Sequence, residues 1–336
     1  MRSGRGRVTL IAATYEAMTV PTPTRWDELD RRLAEVARED VVLERDAPLA
    51  SRTTLRIGGR ARVRAGVLSR DGVAALVSAV RDTAVPWIVL GLGANVLVPD
   101  EGLDAVVIQL EGALTEIDVE GRRLRAGGGA SWSRVVRASI DAGLAGIECL
   151  GGIPSSLGGA LAMNAGAYGQ EVLDVLGWAE VVEPDGSVRR LARGEVEGGY
   201  RWSVLGRGRI VTGAELELQP DDGAAIRARA RQARDRRLKA MPSEPSAGSV
   251  FRNPPGDHAG RLLEAAGCKG LQRGGARVSE RHANVVVNSS EASAADVRAL
   301  IGEMARRVRD AFGIRLELEL KVLDRQARVR TDPGSL

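Results

Sequence analysis

The stretch "GGIPSSLGGALAMNAGAYG", residues Gly151–Gly169, is the most informative part of the chain because its glycines predict a tight backbone turn. A second glycine-rich turn, "GLGANV" at Gly91–Val96, directly follows an apolar run that predicts a strand. Glycine lets the backbone approach a phosphate without an intervening Cβ, and consecutive N–H groups can then bind an anion. Two such turns in one domain suit a diphosphate, although tight structural corners would have the same composition.

Neither turn matches a known nucleotide fingerprint. The dinucleotide motif GxGxxG opens a helix, whereas Gly91-x-Gly93 leads to Asn95 and a second strand. The sequence also contains no GxxxxGK[ST] motif, which excludes a P-loop.

Composition indicates a globular protein without metal or disulfide chemistry. The chain has 336 residues, 44% apolar and only 3% aromatic, with a net charge of +4. Its basic residues are dispersed, which does not favour nucleic-acid binding. Cys149 and Cys268 are far apart and predict two buried reduced thiols, and with only His258 and His282 we expect no metal site.

The chain shows no membrane or secretion signal. The basic and apolar N-terminus is interrupted by Tyr15 and Glu16, so we expect a disordered extension. No stretch is long and apolar enough to cross a membrane. We therefore expect a cytoplasmic monomer whose partners are small molecules and include neither nucleic acid nor a membrane.

Helices mixed with β-hairpins predict an α+β fold. The predicted helices cover Trp26–Ala37, residues 71–85 before Pro86, Ser131–Asp141, residues 224–240, and a long run from Ser293 to Gly313. Pro220, followed by Asp-Asp-Gly, is the preferred domain boundary. The predicted parts are residues 1–45, an N-terminal extension with a short helix; 46–220; 221–325; and 326–336, a tail.

Two further segments carry candidate chemistry. In "PSAGSVFRNP", residues 245–254, Ser249 is either an ordinary turn residue or a proton donor aimed into a pocket. "IRLELELKV", Ile314–Val322, alternates strictly and predicts a strand. Its polar face would carry Glu317 and Glu319 side by side.

Eight blocks in order resemble the UDP-N-acetylenolpyruvoylglucosamine reductase family over about Ala47 to Val322. They are "TTLRIGG", "GLGANVLVPDEG", "GIPSSLGGALAMNAGAYG", "YRWS", "SAGSVFRNP", "AGRLLEAAGCKG", "VSERHANVVVN" and "LELELKV". The resemblance implies an FAD-binding fold of the vanillyl-alcohol-oxidase (PCMH) type in two α+β subdomains. It also implies a smaller C-terminal α+β substrate domain.

The resemblance also implies the site. Arg201, Ser249 as proton donor, and Glu319 match the family's catalytic residues, while Tyr200, Asn253 and His282 match or lie near substrate contacts. The implied FAD contacts are Arg56, Gly91, Gly93, Ala94, Asn95, Val96, Gly152, Ile153, Pro154, Ser155, Ser156, Gly158, Gly159, Ile210 and Arg237. FAD is expected to be noncovalent, because both histidines lie beyond Pro220 and Cys149 precedes the glycine turn.

The implied reaction is reduction of UDP-N-acetylglucosamine enolpyruvate to UDP-N-acetylmuramate for peptidoglycan synthesis, with NADPH reducing FAD. A fixed cation such as Arg201 would stabilise the negative charge that develops on the enolpyruvyl carboxylate. From the residues alone, Glu317 and Glu319 remain equivalent, Arg201 is equally a structural ion-pair partner, and His282 equally a core imidazole.

Some positions depart from the family pattern: Ser155 replaces a usual glycine, Met241 precedes Pro242 where a polar residue is common, and Lys321 replaces arginine. The short segment after Pro254 places the chain in the subgroup without an inserted substrate loop. Two other functions remain open. One is a different FAD-dependent oxidase or dehydrogenase acting on a hydroxy acid or alcohol. The other is a non-enzymatic basic nucleotide-binding protein built on the arginine-rich helix.

Overall fold

The structure is a computed structural model that describes residues 24–36 and 40–336. Residues 1–23 and 37–39 of the N-terminal extension predicted over residues 1–45 lie outside the described residues, and with them Ala37 at the end of the first predicted helix. No helix within these two ranges is long and apolar enough to cross a membrane.

The described chain alternates helices and short strands, as an α+β fold requires. The helices are α1 (Arg25–Val36), α2 (Arg70–Arg81), α3 (Trp132–Asp141), α4 (Leu157–Ala162), α5 (Gly223–Ala240), α6 (Ala259–Ala265) and α7 (Ala294–Phe312). The strands are β1 (Val41–Pro48), β2 (Arg60–Val67), β3 (Trp87–Val89), β4 (Val96–Leu97), β5 (Leu103–Leu110), β6 (Ile117–Glu120), β7 (Arg123–Gly127), β8 (Leu144–Ala145), β9 (Gly166–Ala167), β10 (Gln170–Glu171), β11 (Leu176–Val182), β12 (Val188–Ala192), β13 (Gly198–Gly199), β14 (Trp202–Ser203), β15 (Ile210–Glu217), β16 (Gln219–Pro220), β17 (Ser246–Ser249), β18 (Gln272–Arg273), β19 (Ala276–Val278), β20 (Val285–Asn288), β21 (Lys321–Leu323) and β22 (Val329–Arg330).

The first subdomain is a mixed sheet with α1 and α2 packed on it. Its strand order is β1-β2-β5-β3, with β2 and β3 both parallel to β5. Helix α2 begins where the Ser69 side chain accepts a hydrogen bond from the Gly72 N–H. It ends at Arg81, earlier than predicted, because Ala84 adopts a φ of +52° that a right-handed helix excludes.

The second subdomain is an antiparallel sheet in the order β12-β11-β15-β7-β6, with α3 and α4 packed on it. Trp132 is fully buried in its core, and its indole N–H donates to the Leu150 carbonyl at 3.1 Å. Val182 and Ile210 from this sheet pack into the core of the first subdomain. The two subdomains therefore share apolar packing.

The C-terminal part combines the antiparallel sheet β17-β20-β19-β18 with α6 and α7. Ser293 and Asp296 form a capping box at the start of α7, and Gly313 ends that helix with a φ of +70°. The Asp100 carboxylate, from the loop after β4, accepts hydrogen bonds from the Ala294 and Ala295 N–H groups at 2.7 and 3.0 Å. A carboxylate from the loop after β4 thus caps this helix.

Helix α5 follows Pro220 in sequence but packs on the second subdomain. The buried Glu148 carboxylate accepts hydrogen bonds from the Arg229 guanidinium at 2.6 Å and from the Gly146 N–H at 2.7 Å. The apolar core of the C-terminal part draws on residues between Ala247 and Val322 and also takes in Leu55, Ile57 and Leu97 from earlier in the chain. The placement of a domain boundary at Pro220 stays a prediction.

The strand predicted over Ile314–Val322 is wrong for most of its length. Only Lys321–Leu323 belongs to a strand, together with an isolated bridge between Phe251 and Leu318. The Val250 carbonyl accepts hydrogen bonds from both the Glu319 and Leu320 N–H groups, which breaks the regular ladder. The apolar residues of this segment do alternate with polar ones in burial, as predicted. Its backbone is nevertheless too irregular to form a continuous strand.

Trp132→Ala should lower the free energy of unfolding by about 3–5 kcal/mol, because it leaves a cavity in the second core and strands the Leu150 carbonyl. Urea denaturation followed by circular dichroism measures the change. Arg137→Ala, on the exposed side of the same helix, should change the free energy by no more than about 0.5 kcal/mol. A loss below about 1 kcal/mol for Trp132→Ala would contradict this account of the core.

Candidate active site

A cavity of about 700 Å³ lies where the two subdomains and the C-terminal part meet. Its walls come from both glycine-rich turns, from β15, from the β13–β14 turn, and from the segments that carry Ser249 and Glu319. Its volume is in the range of cofactor and small-molecule sites.

The first glycine turn forms an anion-binding surface from its backbone. The N–H groups of Gly91 to Asn95 donate to no acceptor among the residues that the structure describes. Gly93 has a φ of +60°, and a Cβ at this position would collide with the Arg52 carbonyl and the Thr53 backbone. Only glycine therefore fits here, and the consecutive free N–H donors suit a diphosphate.

The second glycine turn continues this surface. The Ser156 hydroxyl accepts a hydrogen bond from the Gly159 N–H at 3.2 Å and so caps α4, while Ser155 lines the cavity. The Arg237 side chain from α5 lies against Gly152 and also lines the cavity. Burial lowers the pKa of Arg237, and no carboxylate of the described chain forms an ion pair with it. An anionic ligand would supply the missing counter-charge.

Arg201 and Glu319 form an ion pair inside the cavity, with Nε 3.0 Å from Oε1. Arg201 lies in the β13–β14 turn with a φ of +62°, a conformation that costs about 1–2 kcal/mol for a residue other than glycine. Its second anchor is a hydrogen bond to the Gly166 carbonyl at 3.2 Å. Strain of this kind is often retained at functional sites.

Glu319 is largely withdrawn from solvent, with 14% of its side chain exposed. Burial raises the pKa of this carboxyl above its ordinary value, and the neighbouring Arg201 opposes that rise. The Asn95 side chain donates to the Glu319 carbonyl at 3.2 Å, so this predicted cofactor residue also positions the glutamate. Glu317 is exposed and does not line the cavity, which separates the two acids that the sequence left equivalent.

Ser249 lines the same cavity as Arg201 and Glu319. It follows Gly248, whose φ of +73° interrupts the regular pairing of β17 with β20. The structure therefore brings together the three residues that the sequence placed far apart.

Five other predicted site residues do not line this cavity. Tyr200 is 44% exposed, with the Arg201 guanidinium 5.0 Å from its ring centroid, and Arg56 is exposed. Asn253 accepts a hydrogen bond from the Ala259 N–H at 3.0 Å. His282 packs against Gly260, accepts a hydrogen bond from the Asn284 N–H at 3.2 Å, and has a pKa lowered by burial.

The fifth is Gly152, which contacts Arg237 from outside the cavity. The predicted FAD contacts that do line it are Gly91, Gly93, Ala94, Asn95, Val96, Ile153, Pro154, Ser155, Ser156, Gly158, Gly159, Ile210 and Arg237.

Comparison with known proteins places the chain in a family. Its residues 61–192 match the FAD binding domain profile, and residues 240–323 match the C-terminal domain profile of UDP-N-acetylenolpyruvoylglucosamine reductase. A reductase of this name from Symbiobacterium thermophilum is 40% identical over 293 residues, covering 87% of this chain and 95% of the relative. The chain belongs to the UDP-N-acetylenolpyruvoylglucosamine reductase family.

Two further members of this reductase family support the same assignment. The protein from Heliobacterium modesticaldum is 43% identical over 82% of this chain and 89% of its own length. The crystal structure of the Thermus caldophilus reductase superposes with a TM-score of 0.74 at 39% identity, covering 84% of this chain and 99% of that one. The predicted FAD-binding α+β fold and the assignment as an FAD-dependent oxidoreductase are confirmed.

The sequence analysis missed several residues that line the flavin cavity. Gly128 and Gly129 lie so close to the backbones of Val211 and Leu110 that a Cβ would collide. The run Gly127–Gly129 was a visible signal for this contact. Lys321 also lines the cavity, and burial lowers the pKa of its ammonium group.

The two cysteines are free, as predicted. Cys268 is buried, but Cys149 is only partly buried, in the short 3₁₀ helix Glu148–Leu150. The prediction of two buried thiols is therefore wrong for Cys149.

Gly93→Ala should weaken FAD retention at least tenfold, because the new Cβ forces the Arg52–Thr53 backbone and the anion-binding turn apart. The ratio of flavin to protein absorbance after dialysis measures it. Gly121→Ala is a matched control, since Gly121 has a similar φ of +58° but no atom within 4 Å of a Cβ. Equal flavin retention in both variants would argue against the turn as the FAD cradle.

Glu319→Gln should change how stability depends on pH. Because the folded pKa of Glu319 lies above its unfolded value, folding binds a proton, and this residue's contribution to stability falls as pH rises between the two values. The variant lacks this titration, so its unfolding free energy relative to wild type should rise from pH 4 upward. Urea denaturation across pH measures it, with exposed Glu317→Gln as the control. A difference that falls with pH would contradict the direction of the shift.

Proposed function

We propose that the chain reduces UDP-N-acetylglucosamine enolpyruvate to UDP-N-acetylmuramate with NADPH as the reductant, in peptidoglycan precursor synthesis. The observation that carries the proposal is that Arg201, Ser249 and Glu319 line one cavity together with the two glycine-rich turns. The relatives described above are named as reductases of the same substrate. We also propose that the enzyme is cytoplasmic and monomeric and that its domain boundary lies at Pro220.

FAD fits the cavity because the free N–H groups of residues 91–95 and the unpaired Arg237 complement a diphosphate. When bound here, FAD would supply the hydride-transfer chemistry that couples oxidation of NADPH to reduction of the enolpyruvyl C3. Arg201 then stabilises the negative charge that develops on C2 and its carboxylate. The interaction is strong because the guanidinium is held in place by Gly166 and Glu319 and is three-quarters buried.

Ser249 is assigned as the donor of the proton that C2 requires. A hydroxyl is a weak acid, so it can act here only if the carbon is strongly basic and the alkoxide is neutralised at once. Glu319 takes the supporting role that requires a paired or protonated carboxyl. Its ion pair with Arg201 supplies the first of these conditions.

The nucleotide end of the substrate is assigned to residues outside the cavity. Tyr200 is exposed beside Arg201, and Asn253 is exposed close to Ser249 in the chain. His282 lies further along the C-terminal part, against Gly260. A long substrate with its reacting end at Ser249 could reach these side chains. The predicted substrate contacts of Tyr200, Asn253 and His282 are therefore assigned to its nucleotide end.

Anaerobic stopped-flow spectroscopy tests the proposed function. NADPH should bleach the flavin absorbance, and UDP-N-acetylglucosamine enolpyruvate should restore it, while simple alcohols and hydroxy acids should not bleach the oxidised flavin. Bleaching by an alcohol or a hydroxy acid, with no restoration by the enolpyruvyl UDP-sugar, would favour another flavin oxidase or dehydrogenase of this fold.

Ser249→Ala should leave flavin reduction by NADPH within about twofold of wild type and slow reoxidation by the UDP-sugar about 10²- to 10⁴-fold, the usual contribution of a general acid. Both half-reactions are followed by flavin absorbance. Ser246→Ala on the same strand, which does not line the cavity, should leave both rates unchanged. Equal loss of both half-reactions in Ser249→Ala would remove the serine from the role of donor.

A further inference from the structure

A smaller cavity of about 220 Å³ adjoins the flavin cavity, and several residues line both. We call these residues the shared wall. Its charged side chains are those of Arg201, Glu319 and Lys321, and its apolar side chains are those of Ala162, Met163 and Val329. A group bound against the shared wall therefore meets both charge and apolar surface beside the ion pair of the site.

Val329 is an unusual member of the shared wall. It lies in β22, beyond Leu323, where the match to the C-terminal domain profile of the family ends. Its side chain is apolar and is 45% exposed. A single exposed valine on an outer surface is ordinary, as Val188 on β12 is, but Val329 is exposed inside a cavity. Covering such a side chain with an apolar part of a ligand is favourable.

The register of the C-terminal hairpin explains why Val329 faces the cavity. Val329 pairs directly with Leu323, so the two side chains lie on the same face of the hairpin. Lys321 lies two residues before Leu323 and shares this face, because side chains alternate along a strand. Lys321 and Val329 thus present an ammonium group and an apolar group side by side to the shared wall.

The turn of the hairpin is fixed in place. The Asp324 carboxylate accepts hydrogen bonds from the Gln326 and Arg328 N–H groups, both at 2.9 Å. The Arg325 carbonyl accepts a hydrogen bond from the Asp104 N–H of the first subdomain at 2.7 Å. Val329 is therefore held at the shared wall before any ligand binds, which reduces the entropic cost of a contact with it.

The chemistry of the enolpyruvyl group matches this combination of side chains. Its carboxylate suits the cations Arg201 and Lys321, and its methylene carbon, C3, suits an apolar neighbour. The nicotinamide ring of NADPH carries a neutral amide and no carboxylate, so it uses the charged part of the shared wall less well.

We propose that Val329 is a specificity-determining residue that contacts the methylene end of the enolpyruvyl group. This inference rests on the proposed function, and it adds to the site a side chain from the C-terminal hairpin. Met163 lies in the same shared wall and adds to the apolar surface.

The first test measures binding without turnover, by calorimetry on the oxidised, FAD-loaded protein in the absence of NADPH. Val329→Thr keeps the shape and the strand preference of valine but places a hydroxyl in the apolar contact. Its affinity for UDP-N-acetylglucosamine enolpyruvate should fall about three- to tenfold, whereas Val329→Ile should stay within about twofold of wild type.

Two controls separate this contact from a general change in the site. UDP-N-acetylglucosamine lacks the enolpyruvyl group and should bind equally to wild type and Val329→Thr. Val188→Thr changes a valine that is 40% exposed but lies outside both cavities, so it should bind both sugars like wild type.

The second test follows the two half-reactions by stopped flow. In Val329→Thr, flavin reduction by NADPH should be unchanged. Reoxidation should show a Kd for the enolpyruvyl sugar raised by the same factor as in calorimetry, with a limiting rate within about twofold of wild type. That split is expected for a contact made equally in the ground state and the transition state.

The inference is overturned if Val329→Thr binds the enolpyruvyl sugar as tightly as wild type. It is also overturned if the variant loses equal affinity for both sugars, or if only its reaction with NADPH changes. Failure of wild type to be reoxidised by the enolpyruvyl sugar would overturn the proposed function, and the inference with it, before any variant is compared.

Discussion

The ion pair between Arg201 and Glu319 is the contact on which the arrangement of the site depends. One partner comes from a strained turn of the second subdomain, and the other from an irregular segment of the C-terminal part. The first subdomain joins them, because Asn95 from its glycine turn holds the Glu319 carbonyl. Removing one member of a desolvated pair leaves the other charge uncompensated, which is costly. The pair therefore fixes the relative positions of all three parts around the cavity.

Beside this pair, the flavin cradle is made largely of backbone. Gly93 and Gly128 are required because side chains there would meet neighbouring main-chain atoms, and the free N–H groups of residues 91–95 provide the donors. Such a surface suits a diphosphate through its shape and dipoles, and Arg237 adds a positive charge.

Local signals in the sequence were sufficient where local physics decides the structure. The predicted cap at Ser293 and the glycine at 313 correctly bounded α7, and the family blocks identified the three converging residues. The segment 314–322 was mispredicted because alternation reports which side chains are buried, while the double hydrogen bond to the Val250 carbonyl depends on a distant part of the chain. The choice between Glu317 and Glu319, and the packing of α5 through Glu148, depend on tertiary contacts in the same way.

Parallel pairing of β4 with β21 has a consequence for how the protein is made. Val96 and Leu97 pair with Lys321 and Val322, so one wall of the cavity combines residues from nearly opposite ends of the described chain. Closing so large a loop is entropically expensive and slows folding. During synthesis the first subdomain emerges long before its partner strand, so this wall of the cavity can form only after residues 321–322 have been made. Capture of the flavin is therefore expected to follow synthesis of the C-terminal part.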